Sequence, residues 1–220
     1  MSIFLARRGA AAHRPEGAPP LTVPTVVGTA SNSRSGGGSV SVTPPAGAAS
    51  WLAFVFDNGA TPNIAPATGF AQVAVLGPYE ITVFKATTAP GSSWGINGTG
   101  GVTGGVVIVV GYDADVAVGA SGTTASSATS PSVTLAEPSL VVRLLDGVRD
   151  SDVAPGYPAG STLGRVSQNQ QLSGFVLQLA VAHDAHLSGG TSGTAAFTAG
   201  SGTFYDSTAH TLALTTTPPA

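Results

Sequence analysis

Cysteine is absent from this 220-residue chain, lysine occurs once, at Lys85, and charged residues make up only 9% of it. Without a thiol there is no disulfide, no thiolate metal ligand and no cysteine nucleophile. Scarce charge, with a formal net charge of −3, removes the basic surface on which nucleic-acid binding rests. No apolar run, WLAFVF from Trp51 and VVIVV from Val106 included, approaches the roughly 18 to 20 residues that cross a bilayer as a helix. Neither nucleic acid nor membrane insertion is therefore expected. The short apolar start at Ile3, Phe4 and Leu5 precedes Arg7 and Arg8, the reverse of the charge order in a secretory signal.

What is present is β-patterned sequence written twice. SWLAFVFDNG, beginning at Ser50, is answered by SLVVRLLDGV, beginning at Ser139. Each copy follows a short alternating strand, SVSVTP from Ser39 and PSVTLAEP from Pro131. Each then precedes a Pro/Gly turn, an alternating strand (YEITVFKA from Tyr79, GFVLQLAVA from Gly174) and a closing strand (GVVIVVGY from Gly105, AHTLALTT from Ala209). Alternation places one face on a core and the other in solvent, whereas WLAFVF and GVVIVVGY read as strands covered on both faces. LVVRLLDGVRD has a spacing compatible with a helix, but its β-rich repeat partner makes it a strand. Asn58-Gly59 and Asn97-Gly98 suit the left-handed conformations of tight hairpins.

Many short strands with 30 Gly and 16 Pro as punctuation predict an all-β protein, an antiparallel sandwich or jelly roll built from two similar halves. The length allows one large core or two small ones. Residues 1–22 form an extended arm, because Pro15, Pro19 and Pro20 prevent helix or central strand and Arg7, Arg8 and Arg14 concentrate there. Residues 23–117 make the first module and 118–220 the second, standing apart or merged into one sandwich. Val118–Ser132 is small and polar, fit for a linker or an edge strand of weak register.

The residues that could carry chemistry do not assemble into a site by spacing. His183 and His186 flank Asp184 without a third ligand, and are expected as solvated loop histidines. Asp146, Asp150 and Asp152 do not match a calcium loop, and together with Asp113 and Asp115 read as polar turns. No G-x-S-x-G elbow occurs, and among three glutamates neither Glu80 nor Glu137 is singled out as half of a carboxylate pair. No cofactor and no catalytic residue are expected. Trp51 belongs to an apolar strand, while Trp94 in SSWGING, read as an exposed turn, and Tyr157 in PGYP are the better candidates to meet a partner or a glycan, against the plainer reading of both as packed loop aromatics.

The order of TPPAG, SWLAFVFDNG, TP..GF, YEITVFKA and GVVIVVGYD resembles the β-sandwich virion proteins of tailed bacteriophages, particularly minor tail proteins of phages that infect actinobacteria. SLVVRLLDGV, PAGSTLGRV, GGTSGTAAFTAG and the final TLALTT are similar to that family's closing half, and FLARRGAAAHRP to its arm. The resemblance implies a non-enzymatic structural subunit, assembled in the bacterial cytoplasm and carried in the virion. Its partners would be other tail or capsid subunits, further copies of itself and, through outward loops, a host surface glycan. A capsid decoration protein and a carbohydrate-binding or receptor-binding module are the alternatives. Ile3, Phe4, Leu5, Arg7, Arg8 and Arg14 would form the attachment element.

Overall fold

The computed structural model describes residues 22–59, 62–77, 81–99, 103–199 and 203–217. The arm residues Ile3, Phe4, Leu5, Arg7, Arg8 and Arg14, and also Glu80, lie outside them. Among the described residues there is no helix, and hence none long and apolar enough to cross a membrane.

Eight strands come first: β1 (Val26–Ser35), β2 (Gly38–Ser41), β3 (Ser50–Asp57), β4 (Ile64–Ala65), β5 (Ala71–Leu76), β6 (Ile81–Ala86), β7 (Ser93–Ile96) and β8 (Gly104–Tyr112). Nine follow: β9 (Val116–Ala125), β10 (Thr129–Ser130), β11 (Thr134–Leu135), β12 (Ser139–Arg149), β13 (Leu163–Leu172), β14 (Phe175–His186), β15 (Gly190–Thr191), β16 (Ala195–Ala196) and β17 (Phe204–Thr216). LVVRLLDGVR is thus a strand, as its repeat partner suggested. β9 begins at Val116, so the module boundary drawn at residue 118 cuts a strand. β9 is an edge strand whose pairing with β17 shifts register between Leu212 and Leu214.

The duplication is a duplication of topology. Read from one edge, the first half orders its large antiparallel sheet β1-β8-β3-β6-β5, and the second orders its own β9-β17-β12-β14-β13. Strand for strand these are the same sheet. Each half also folds short strands over one face of that sheet: β2-β7-β4 in the first, and the pairs β10-β16 and β11-β15 in the second. The Ile64–Ile96 pairing of the first half has its counterpart in the bridge between Gly156 and Thr198.

The two large sheets face one another, with β1 against β13 and β5 against β9. Leu52, Phe54, Val106, Ile108 and Ile81 from one sheet and Leu140, Val142, Leu144, Leu179 and Leu212 from the other form one apolar core. The halves have therefore merged through a shared core rather than standing as two sandwiches side by side. This arrangement explains why β6 and β14, which read as half-solvated strands, are almost wholly buried. Their second face meets the short strands and loops of their own half.

The register corrects the sequence alignment. From Ser50 to Ser139 is an odd spacing, which would match Trp51 with Leu140. Trp51 faces the outer, short-strand side of its sheet, and Leu140 faces the shared core. Because side chains alternate along a strand, a shift of one residue exchanges the faces, so the structural offset between β3 and β12 is an even number.

Asp57 organises the corner where β3 leaves the sheet. Its buried carboxylate accepts the backbone N–H groups of Gly59 at 2.9 Å, Asn63 at 3.1 Å and Gly98 at 3.1 Å. A Cβ at Gly98 would stand 2.3 Å from Asp57 Oδ1, so the glycine is required by close approach. Neither Gly59 nor Gly98 has the positive φ of a tight hairpin. The Asn-Gly pairs here let two loops converge on one carboxylate.

Candidate functional site

The outer faces of the two sheets are covered differently. In the first half, Trp51, Ala53, Val55, Phe84, Val107 and Val109 meet Val40, Phe70, Trp94 and Ile96 in a dry cluster. Trp94 is fully buried, with its ring centroid 4.8 Å from that of Phe70 and 5.5 Å, edge-on, from that of Phe84. It does not present an outward contact, contrary to the reading of SSWGING as an exposed turn. β7 pairs with β2, Val40 opposite Trp94, and this turns the indole inward while the small Ser93 and Gly95 alternate with it. Tyr157 is half-buried, its ring 6.3 Å from Phe197 and under the Arg165 guanidinium at 5.5 Å.

In the second half, buried arginines stand beside two smaller apolar clusters, Val133, Leu135, Val141 and Ala213 in one and Leu145, Ala180, Ala209 and Phe197 in the other. Arg143 projects from the middle of β12 onto the outer face and is 1% exposed. Its Nε donates to Asp184 Oδ2 at 2.9 Å and its Nη2 to the Ser192 carbonyl at 2.6 Å. Nη1 reaches the Gly193 carbonyl and Thr211 Oγ1, each at 3.1 Å, and the Pro131 carbonyl at 3.3 Å. A planar fork of donors suits this task, because loop carbonyls arriving from several directions need separate N–H groups. Arg149, also buried, donates to the carbonyls of Val153 and Ala199 and to Gln178 Oε1. Both side chains fasten loops to the sheet. The signal was visible in sequence as charges inside an apolar strand, though their partners were not.

Beside Arg143 the outer face opens into a cleft of about 580 Å³. β14 supplies Asp184 and His186, two residues apart and so on one side of the strand. The turn from Pro158 to Ser161, closed by the Ser161 N–H on the Pro158 carbonyl at 3.0 Å, supplies another wall, and Ala195 with Ala196 of β16 a third. Ser161 Oγ and Asp184 Oδ1 are buried and have no hydrogen-bond partner among the described residues. Sequence reasoning reached Asp184 and His186 only as loop residues. It missed Ser161, which carries no motif.

The remaining polar interior lies between the sheets. His183, expected in a solvated loop, is 0% exposed within β14. Its Nε2 lies 3.1 Å from the Tyr112 hydroxyl and its Nδ1 3.3 Å from the Leu163 carbonyl. With the proton on Nδ1 the imidazole donates to Leu163 and accepts from Tyr112. Burial holds its pKa down at about 4, against weaker opposing effects of the Leu163 carbonyl and Asp184, and pushes the Tyr112 phenol up.

Asp146, expected in a polar turn, is likewise inside: its Oδ1 lies 2.7 Å from His210 Nε2, and His210 Nδ1 lies 2.9 Å from Thr123 Oγ1. Burial raises the Asp146 pKa, with the His210 hydrogen bond opposing. Thr123 sits directly opposite His210 in the β9–β17 register, so this contact is a cross-strand pair.

Other acidic residues do make turns. Asp150 Oδ1 accepts the Thr203 N–H, Asp152 the Asn169 amide, and Asp113 the Thr25 N–H and hydroxyl. Asp115 pairs with Lys85 at 2.7 Å. Among the described residues no three His, Cys, Asp or Glu side chains group closely enough to hold a metal ion. No family model matches the chain, and no match is found among curated proteins or solved structures.

Proposed function

We propose that the chain is a non-enzymatic structural subunit of a tailed bacteriophage virion, a minor tail protein whose N-terminal segment attaches it to neighbouring subunits. The resemblance in strand order and turn residues supplies the virion assignment, since a β-sandwich by itself hosts many functions. One structural observation supports a building-block role: three buried charged residues are spent on fastening. Arg143, Arg149 and Asp57 each gather backbone groups from separate loops. Such a body holds its shape while presenting attachment points, and repeated weak contacts in a symmetric particle then sum to firm binding.

The segment with Ile3, Phe4, Leu5, Arg7, Arg8 and Arg14 is the attachment element in this reading, and its partners are other tail subunits and copies of the chain. Deleting residues 1–20 is expected to leave the body folded and to abolish incorporation into particles. Cryo-EM density for the chain at the tail supports the assignment, and density on the capsid shell would replace it with a decoration protein. Incorporation untouched by the deletion would overturn the role given to the arm. A glycan-binding module resting on Trp94 loses its footing, because that indole is interior.

A further inference from the structure

Edge strand β5 leaves an apolar strip bare at the surface. Val73 is 43% and Val75 48% exposed, and Ala71 and Gln72 beside them are exposed as well. A β-bulge between Gln72 and Ala74 sets Val73 out of the ladder. Val75 stands opposite Thr82, whose neighbours Ile81 and Val83 face the shared core, so Val75 lies on the outer face of the sheet. We propose that this strip receives the apolar run Ile3, Phe4 and Leu5 of a second copy of the chain. The inference rests on the attachment role given to the N-terminal segment, and it names the surface that takes that segment.

The duplicated topology shows what β5 lacks. By strand order β5 corresponds to β13 of the second half. The outer face of β13 is tied to a loop of its own half: Asn169, opposite Gln178, donates to Asp152 Oδ1 at 2.9 Å and accepts from the Gln178 amide at 2.7 Å. On the face where β13 presents Ser167 and Asn169, β5 presents Val75, which offers a loop nothing to bond. Edge strands are commonly protected by charge, and AQVAVL carries none. β5 also ends its sheet, so its outer backbone groups are open to one more strand.

Reach and charge select the occupant. The described chain starts at Thr22, whose carbonyl accepts from Thr216 Oγ1 at 3.4 Å beside the start of β9, and residues 1–21 leave the body there. Pro15, Pro19 and Pro20 stiffen the connection, and the stretch from Pro15 to Thr22 spans about 25 Å when extended. A stiff spacer of that length carries Ile3, Phe4 and Leu5 toward a neighbour rather than back onto their own body. In an extended run Ile3 and Leu5 share one face, which meets Val73 and Val75. Antiparallel to β5, the run brings Arg7 and Arg8 past Ala71, the partner of Lys85, toward Asp115 and the exposed Asp113. Two carboxylates against one lysine leave a negative charge for the arginines to meet.

The chain has no cysteine, so introduced thiols report without background. The full chain carrying Leu5→Cys with Val75→Cys is oxidised with copper phenanthroline, run without reductant, and its joined peptides identified by mass spectrometry. Linked dimers and larger species joining positions 5 and 75 are expected, at least about fivefold above Leu5→Cys with Val27→Cys, whose valine is similarly exposed on β1. Sedimentation gives a second reading. Val75→Asp, or deletion of residues 1–20, is expected to abolish self-association, and a mixture of the two to restore it, because one supplies the segment and the other the strip. A 5–75 disulfide confined to monomers, a yield no higher than the control, a parent chain that stays monomeric at millimolar concentration, or a mixture that does not associate would each overturn the proposal. Loss of particle incorporation on deleting residues 1–20 with no 5–75 link would keep the attachment role and remove only this surface, whereas incorporation untouched by the deletion would remove the role itself.

Discussion

The Tyr112 hydroxyl lies 3.1 Å from His183 Nε2, joining the closing strand of the first sheet to β14 of the second across the interior they share. Replacing Tyr112 with Phe keeps the ring, which meets the imidazole edge-on, and strands a buried nitrogen. The expected cost is about 1–3 kcal/mol, measured as a lower urea midpoint at unchanged slope. A variant as stable as the parent would mean that the bond contributes nothing.

His183 also makes stability depend on acidity. In the unfolded chain the imidazole takes up a proton near its ordinary value of 6.5, whereas burial delays this to about 4 in the folded protein. Between those values the unfolded state binds more protons. Stability from this residue is full above about 6.5, falls as pH falls, and is gone below about 4, a loss of roughly 3 kcal/mol. Urea titrations at pH 7.5 and pH 5 are expected to differ less in His183→Gln than in the parent.

Arg143→Lys should behave as a severe change despite keeping the charge. One ammonium cannot meet the spread of oxygens that the guanidinium holds, and each buried acceptor left unmet costs about 1–3 kcal/mol. Hydrogen exchange is expected to speed up in residues 130–133 and 190–194, around the Pro131, Ser192 and Gly193 carbonyls that Arg143 holds, and to stay slow in β3 and β8. Uniform loss of protection in both halves would contradict a local role.

Trp94→Ala is expected to act on stability rather than on any surface contact. Removing a fully buried indole packed on Phe70 and Phe84 costs about 3–5 kcal/mol. Quenching by acrylamide gives an independent check: Trp94 emission should be shielded in the native protein. Ready quenching of both tryptophans would place the indole outside.

The halves should fail to fold alone. Cutting between Asp113 and Asp115 separates two sheets whose facing sides, Leu52, Phe54 and Ile108 against Leu140, Val142 and Leu144, form one core. Each fragment would expose a broad apolar face. Retained far-UV signal, dye binding and no cooperative melt are expected, and a sharp melt from either fragment would show that the shared core is dispensable.

Much of this architecture was already visible in the order of residues. Alternating and continuously apolar stretches marked the strands, Gly and Pro marked the breaks, and the recurrence of SWLAFVF as SLVVRLL marked a duplicated sheet. The fates of Trp94, Asp146 and His183 were not visible, nor was the burial of Ser161. Alternation reports that a strand has two unlike faces, and says nothing about what covers each one. That was decided when two sheets with the same strand order closed on each other, making the inner faces one core and leaving the outer faces to be covered by an aromatic cluster in one half and by arginine-bound loops in the other. Those contacts join residues distant in the chain, and only the folded register brings them together.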